Sequence, residues 1–586
     1  MTYQIFKKIL NFVNFKIKKK LFTNYLFFIW TLLLYVFLVF KANFHFDLTD
    51  ESYYVLSSSL PTQIKGSISQ FGYLNYYIFK GLGFNIIAFR IVGILFLLAA
   101  SAFFIINFLI FFNIYTKSNI SITLTSLLFV SATLYFYKHW LLTPSYNYNI
   151  FLSYLMVVGI SFNLLRNQEN LTINSLAYWI FWMWLGSFFI LVAVLSKFTA
   201  LFFFLILATL TFCFFKDKKK FTILFIILSI FLIINFFLYV HFVFINFNFF
   251  IEKITIGKDY LYTIDAGYKV ADNLMNILLG IFTAFKFLIF NLHLEKIFLF
   301  IYLFLIFYLK NNNYLIKAIF YMIILFSFFF FNKLTTPLFS LLLLIIFLIL
   351  KFRIFSINTI TKKKIKLLIF IIIIPFLFSL GTNNNIISHT FFLNSFYLLA
   401  ISIIIQLIKP DKKYNLLFTL SVFFLTTNIL IKSFYNPYNL GYNYNGNFEK
   451  IKFSKYGELY LDEKLAKNLN SIKMAFNSNN WIKNGTIIDL TGSSPGILVL
   501  VEGKFIGTPW LSGSRNGSEQ FITKILSSAT KEELSQSWIL TTNNLEEKNF
   551  DHTKILEKLD ISTNNFVNLG EYPLNNIDIT IWKPRY

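Results

Sequence analysis

Phe44-His45-Phe46-Asp47-Leu48-Thr49-Asp50-Glu51-Ser52-Tyr53-Tyr54 gathers three carboxylates and a histidine directly after the first long apolar run of the chain. Only 13% of the 586 residues are charged and 57% are hydrophobic, so such a cluster is out of character. Ionised side chains are expensive in hydrocarbon, and this group therefore needs water on at least one side. The run before it, 21–41, must then end at a membrane boundary. The acidic stretch opens a connection of about 45 residues, long by ordinary loop standards.

The other apolar runs fit the same reading. Mean hydropathy is +0.65, and the runs are near the roughly 20 residues that a helix needs to cross a hydrocarbon core. Isolated strands leave backbone groups unsatisfied in lipid, and the alternation of an outer-membrane barrel is missing, so the spans read as helices. The formal charge of +25 does not indicate nucleic acid, because the lysines are scattered through short inter-helix loops and form no single basic face. The abundance of Phe, Ile, Asn, Lys and Tyr also fits an A+T-rich genome. Cys213 stands alone inside an apolar run, which excludes an intramolecular disulfide and argues against a cysteine metal site. Met1 to Lys20 is basic and leads into a full span without a small-residue cleavage site, so it reads as an uncleaved anchor.

Lysine-rich loops face the cytoplasm and serve as topology markers. The markers are Lys7/Lys8 with Lys16–Lys20, then Lys216–Lys220, Lys362–Lys366 and Lys409–Lys413. Starting inside, spans are predicted near 21–41, 88–112, 119–137, 146–165, 175–195, 198–215 and 221–247, which leaves 248–273 outside. Four candidates follow, 274–292, 297–310, 314–331 and 335–351, where the next marker requires an odd number; 274–292, interrupted by Lys286, is taken as an interfacial helix. Spans near 365–381, 388–408 and 415–432 complete about thirteen crossings. The expected fold is a polytopic α-helical membrane protein with external amphipathic helices. Its N-terminus is cytoplasmic and its C-terminus extracytoplasmic, in a cell membrane and specifically a bacterial inner membrane.

Three regions result: a transmembrane domain over 1–432, a Tyr/Asn-rich linker over 433–446 and an extracytoplasmic α/β domain over 447–586. In the last, 486–490, 505–507, 537–540 and 578–582 read as strands, alternating with helices near 460–478, 495–503, 518–528 and 552–559. Thr491-Gly492-Ser493-Ser494-Pro495-Gly496 lacks the ending of a phosphate loop and reads as a helix start, with Ser494 at the N-cap and Pro495 at the first helical position. In the first loop, Asp50–Leu60 and Tyr73–Lys80 are expected as short interfacial helices, with Tyr53 and Tyr54 anchoring the first at the headgroups.

Several motifs occur in order along the first 200 residues. Asp50-Glu51 is followed by Tyr53-Tyr54; Gly72-Tyr73-Leu74-Asn75-Tyr76-Tyr77 and Gly83 lead into Ala88-Phe89-Arg90-Ile91-Val92; Thr143-Pro144-Ser145-Tyr146 opens a span; and Val194-Leu195-Ser196-Lys197-Phe198-Thr199-Ala200 lies further on. This arrangement resembles the C-type (GT-C) superfamily of integral-membrane glycosyltransferases, in particular the protein O-mannosyltransferase and aminoarabinose transferase group. The later spans agree only in hydropathy. The chain departs from the family at Gln70-Phe71-Gly72, where members often carry an acidic or His residue and a Pro, and this puts any shared metal site in doubt.

The resemblance implies transfer of a sugar from a polyprenyl-phosphate carrier to a lipid, glycan or protein hydroxyl on the outer face of the membrane. Such a transfer needs a carboxylate to take the acceptor proton and cations to steady the departing phosphate. Asp50 is the expected base, with Glu51 orienting it or holding an acceptor or metal. Arg90 and Lys197, near the external ends of apolar runs, are the expected phosphate ligands, and Tyr53 and Tyr54 the expected substrate contacts. His45 and Asp47 have the chemistry to hold a divalent metal cation. His139 reads as interfacial packing beside Trp140. The loop Glu252–Asp272 is either a wall of the cavity or a solvated connection. The rival reading is a lipid or sugar transporter or flippase, against which stand the paucity of midplane charges and the clustering of the carboxylates at one face. Another reading makes the terminal domain a glycan- or protein-binding module through Trp510, Arg515 and Asn516.

Overall fold

The computed structural model describes residues 22–170, 176–244, 246–263, 359–381, 389–408, 412–440, 447–492, 494–510, 517–542, 552–574 and 577–585. The expected segments 274–292, 297–310, 314–331 and 335–351 lie outside them, as do 264–272, Arg515 and Asn516. Among the described residues the chain is mostly helical, with a sheet region at its C-terminal end.

The helices in chain order are α1 (Phe22–Phe40), α2 (Asp50–Ser59), α3 (Phe71–Gly81), α4 (Ile86–Thr116), α5 (Ile122–Ala132), α6 (Tyr146–Asn167), α7 (Leu176–Ser196), α8 (Ala200–Phe214), α9 (Lys218–Phe244), α10 (Phe247–Thr263), α11 (Thr359–Ser379), α12 (Asn394–Ile408) and α13 (Lys412–Tyr435). Among the described residues, six helices contain stretches long and apolar enough to cross a membrane: α1, α4, α6, α7, α9 and, from Phe418, α13. The runs expected at 119–137, 198–215 and 388–408 form shorter apolar helices. At its N-terminus α4 is capped by Asn85, whose side-chain oxygen accepts from the Ala88 N–H at 3.0 Å. Ser145 caps α6 in the same way, accepting from the Tyr148 N–H at 3.2 Å.

Large apolar side chains on α1, α7, α8 and α9 remain exposed, among them Phe28, Leu33, Phe181, Leu205, Ile233 and Phe237. Contiguous apolar surface on this scale suits lipid and not water. Inside the bundle the helices are tied by short polar bonds: Thr31 with Ser131 at 3.0 Å, Tyr35 with Thr133 at 3.2 Å, and the Trp30 indole N–H to Thr427 at 3.1 Å. Tyr115, near the C-terminal end of α4, meets Phe214 of α8 and carries the Lys363 ammonium over its ring. The lysines that follow α8 and those that open α11 therefore share one end of the bundle, opposite the end where α4 and α6 begin.

At that second end sits the C-terminal region, β1 (Phe448–Lys452), β2 (Glu458–Asp462), α14 (Glu463–Ser478), β3 (Thr486–Asp489), α15 (Pro495–Val501), β4 (Lys504–Ile506), α16 (Ser518–Leu526), α17 (Lys531–Gln536), β5 (Trp538–Thr542), α18 (His552–Lys558), β6 (Phe566–Leu574) and β7 (Ile577–Pro584). The sheet order is β4-β3-β5-β7-β6, with the first three strands parallel and β7 antiparallel to both of its neighbours, β5 and β6; β1 and β2 form a separate hairpin. Alternation along β3 sends Ile487 to one face and Ile488 to the other. The four expected strands are found. β1, β2 and β6 were not expected, because charged or polar residues interrupt their apolar pattern.

The C-terminal region is not a separate body on a linker. Phe46, Leu48, Val55, Leu56, Ile64 and Phe79 of the first loop share one core with Ile451, Phe453, Leu459, Leu465, Ile487 and Leu498. Each fully buried side chain of this kind contributes roughly 1.5–3 kcal/mol. The backbone joins as well: the His45 N–H donates to the Tyr460 carbonyl and the Tyr460 N–H to the Asn43 carbonyl, both at 2.8 Å. This corrects the expected placement of α2. Eight of its ten residues are buried, between α3 and α15 and not against lipid headgroups. Gly72 makes the closest approach, since a Cβ there would lie 2.2 Å from the Ser57 carbonyl oxygen.

Candidate functional site

The acidic stretch is folded around one guanidinium. Arg90, on the first turns of α4, is buried, and each of its five N–H groups has an acceptor. Nε donates to Glu51 Oε1 at 3.0 Å and one terminal nitrogen meets Glu51 Oε2 at 2.8 Å. The remaining donors go to the carbonyls of Ala42 (2.6 Å), Phe44 (3.2 Å) and His45 (2.9 Å). Glu51, 1% exposed, also accepts from the Thr143 hydroxyl at 2.6 Å and the Thr143 N–H at 3.1 Å, and from the Asp47 N–H at 3.3 Å. Three motifs far apart in sequence, Asp-Glu, the Arg of α4 and Thr143-Pro144-Ser145, thus converge on one ion pair. Its geometry corrects two expectations: Arg90 has no donor left for a phosphate, and Glu51 has no oxygen left for a proton, an acceptor or a metal.

Asp47 is consumed differently. Its carboxylate accepts the Thr49 hydroxyl at 2.9 and 3.0 Å and the Glu51 N–H at 3.1 Å, closing the first turn of α2 in place of the Thr49 cap. Burial, and then the neighbouring Asp50 charge, push its pKa up to about 8. Asp50 is half-buried and receives the Tyr438 hydroxyl; burial raises it to about 6. A proton resting on Asp47 leaves Asp50 as the carboxylate of the three that is both ionised at neutral pH and not spent on the fold.

Tyr438 comes from the stretch expected to be a passive linker. Its N–H donates to the His139 carbonyl at 3.1 Å, its ring lies 5.2 Å from the His139 ring, and the neighbouring Asn439 amide donates to Thr49 at 2.9 Å. From here basic groups continue around the same end of the bundle. Lys138 sits over Phe391 and Phe392, and buried His389 stacks on Phe378, with ring centres 5.1 Å apart. Desolvation lowers Lys138 to about 8 and Lys197 to about 7. The Lys197 ammonium donates to the Phe378 carbonyl at 3.1 Å, and Thr199 to the Leu380 carbonyl at 2.8 Å, so the turn between α7 and α8 is held on the end of α11.

The expected substrate contacts divide. Tyr54 is buried among Phe71 and Tyr146, while half-buried Tyr53 stacks on Trp510 of the C-terminal region, with ring centres 5.1 Å apart and planes at 28°. Neither anchors a helix at headgroups. The metal expectation does not fit the donors present. His45 is boxed by Trp140, Phe434 and Phe448, and burial followed by the Arg90 charge lowers it to about 3. Asp47 is occupied as described, and among the described residues no three His, Cys, Asp or Glu side chains gather for an ion. Ser494 stands at the N-cap of α15 but its hydroxyl makes no cap bond; the Gly496 N–H donates instead to the Leu48 carbonyl at 2.9 Å. Residues 252–263 of the expected Glu252–Asp272 loop are helical, in α10, and Gly257 packs on the backbone of Ser67 and Ile68.

No family model, curated protein or solved structure matches this chain. The site therefore rests on its own chemistry.

Sequence reasoning passed over Lys138, His389 and Tyr438. Lys138 carries the only visible signal, a lysine beside His139 and Trp140 at the end of an apolar run. Tyr438 is one of several tyrosines in a Tyr/Asn-rich stretch, and only the fold singles it out.

Proposed function

We propose that the chain is a membrane glycosyltransferase of the C-type superfamily, moving a sugar from a polyprenyl-phosphate carrier to a lipid, glycan or protein hydroxyl at the extracytoplasmic face. The observation that carries this reading is the division of labour among three adjacent carboxylates. Glu51 and Asp47 are spent on structure, and Asp50 is left ionisable, half-buried and fixed at the start of α2. In the proposed reaction the acceptor oxygen attacks the anomeric carbon, its proton passes to Asp50, and the bond from that carbon to the carrier phosphate breaks. Lys197 and Lys138 supply positive charge for the departing phosphate. Arg90 is a positioning residue here, since it holds the loop that presents Asp50.

The about thirteen crossings of the sequence reading, with the N-terminus cytoplasmic, are part of the same proposal. The gathering of lysines at the bundle end away from the sheet region supports them.

The test incubates the purified chain in lipid nanodiscs with a panel of radiolabelled polyprenyl-phosphate sugars and a mixed acceptor extract. Transfer by the native chain that falls at least a hundredfold in Asp50→Asn supports the assignment, and unimpaired transfer by that variant removes Asp50 from the base role. If the native chain uses no donor, a flux assay on the chain reconstituted in proteoliposomes tests the transporter reading.

A further inference from the structure

The β1–β2 hairpin carries a basic surface that the acid cluster does not use, and its turn is seated on the corner between α3 and α4. There the Lys455 ammonium lies 5.3 Å from the Phe84 ring centre, and Tyr456 stacks over Phe79 with ring centres 6.2 Å apart. The backbones are close as well, since a Cβ on Gly457 would stand 3.3 Å from the Asn85 side-chain nitrogen. Asn85 caps α4, and the hydroxyl of Tyr77 on α3 donates to the Phe242 carbonyl, near the end of α9, at 3.4 Å. Both α4 and α9 are long and apolar enough to cross a membrane. The corner is therefore level with the ends of two such helices, which is where the headgroup layer lies. Tyr77, Ile78 and Lys80 are exposed on α3, the aromatic and basic mixture of a headgroup anchor.

Six lysines gather on the surface above this corner. Lys450 and Lys452 belong to β1, Lys455 to the hairpin turn, Lys473 to α14, Lys483 to the turn before β3, and Lys504 opens β4. The Lys473 ammonium donates to the Lys452 carbonyl at 2.6 Å; the Lys483 ammonium donates to the Ser454 hydroxyl at 2.6 Å and to Glu502 Oε1 at 3.0 Å. Burial, and then the charges of Lys452 and Lys483, lower Lys473. Lys455 is lowered by burial, raised by the Glu502 charge and lowered again by Lys504. Two carboxylates stand among these lysines. Glu458 is taken by Lys450, and Glu502, 8% exposed, by Lys483 and the Lys455 N–H. Among the described residues Lys452, Lys455, Lys473 and Lys504 form no ion pair, whereas Lys467, Lys524, Lys531 and Lys558 elsewhere on the C-terminal region each meet a carboxylate of their own.

Like charge crowded in this way attracts anions. At the level of the span ends the anion at hand is the phosphate of a lipid headgroup, and basic residues beside a membrane span gain from an anionic leaflet lysine by lysine. We propose that this lysine surface binds the phosphates of anionic lipid headgroups, in the leaflet at the end of the bundle where α4 begins. The proposal rests on the membrane-crossing helices and not on the transferase reading.

The test is acetylation footprinting of the full chain in nanodiscs, read lysine by lysine by mass spectrometry. Lys531, 79% exposed and paired with Asp560, is the reference. Discs of phosphatidylcholine alone are compared at low salt with discs of which one third of the lipid is phosphatidylglycerol. The expected result is that Lys455, Lys473, Lys483 and Lys504 react roughly threefold or more slowly in the anionic discs, the factor that the surface potential of an anionic leaflet imposes on an amine. Lys531 should be unchanged, and the protection should vanish in about 0.5 M salt, where the screening length is a few Å. The proposal is overturned if the four lysines follow Lys531, or if their protection survives the salt. Glycerol phosphate and polyphosphate, each added to phosphatidylcholine discs, identify the source of the anion. Protection by either that equals the effect of phosphatidylglycerol makes the partner a soluble anion and overturns the proposal; weaker protection by both supports it.

Discussion

Removing Arg90 is the perturbation that separates a scaffold from a ligand site. In Arg90→Met the apolar stem is kept, while Glu51 is left as a buried carboxylate without its counter-charge. The carbonyls of Ala42 and His45 lose their donors at the same time, and that of Phe44 keeps only the Trp140 indole N–H at 3.4 Å. Breaking a buried ion pair from one side costs about 3–5 kcal/mol, and orphaned carbonyls add to that. A double-mutant cycle with Glu51→Leu isolates the pair: each single variant leaves an uncompensated buried charge, the double variant does not, and an interaction energy of about 3 kcal/mol is expected. Unfolding in mixed micelles measures the energies, and amide exchange over residues 41–60 locates the damage in the first loop and α2. The result that refutes the reasoning is an Arg90→Met variant within about 1 kcal/mol of native, with unchanged exchange in this segment. Such a protein holds its loop by other means, and Arg90 becomes available again as a phosphate ligand. Arg90→Lys is expected to rescue little, since one ammonium cannot reproduce a fork that serves four residues.

Four further outcomes follow from the same geometry. Asp47 titrates near 8 when folded against 3.8 as a free side chain, so the folded state holds the extra proton in between and loses stability as pH rises through that window; Asp47→Asn should raise the thermal midpoint at pH 9 and do little at pH 4. Lys253, whose buried ammonium has no partner and is lowered by burial to about 7, has the opposite sign, so Lys253→Met should stabilise most at pH 6 and least at pH 10, read by midpoints across pH. Gly72→Ala drives a methyl into the Ser57 carbonyl, where backbone cannot yield cheaply, and should cost about 3 kcal/mol or more and abolish activity, checked by unfolding and transfer assays together. If Asp50 is the base, the acidic limb of the transfer rate should have its midpoint near 6, following the raised carboxylate; a limb near 4 contradicts the burial that sets it.

Much of the architecture was readable because single-residue physics dictates it. Apolar runs near the length of a bilayer become helices whatever their neighbours do, since backbone groups in lipid have no other partner. Asp50–Ser59 and Phe71–Gly81 appear close to their expected bounds, and the four strands of 486–582 follow from short apolar runs between turn residues. The carboxylate cluster was legible as a place of interest for the same reason: charge beside hydrocarbon needs an explanation.

The roles within the cluster were not legible, because Asp, Glu and Arg look equally available in a string of letters. Only the fold brought Arg90 and Thr143 onto Glu51 and turned an expected phosphate ligand and an expected catalytic partner into a closed ion pair. Only the fold drew Tyr438 out of a stretch read as linker, and joined Phe46 and Leu48 to the core of a region more than 400 residues away. Local pattern determined where helices, strands and charge occur in this protein. Which charges are spent on structure and which remain for chemistry was decided by long-range packing, since hydrogen-bonding capacity is used up by neighbours in space and not by neighbours in sequence.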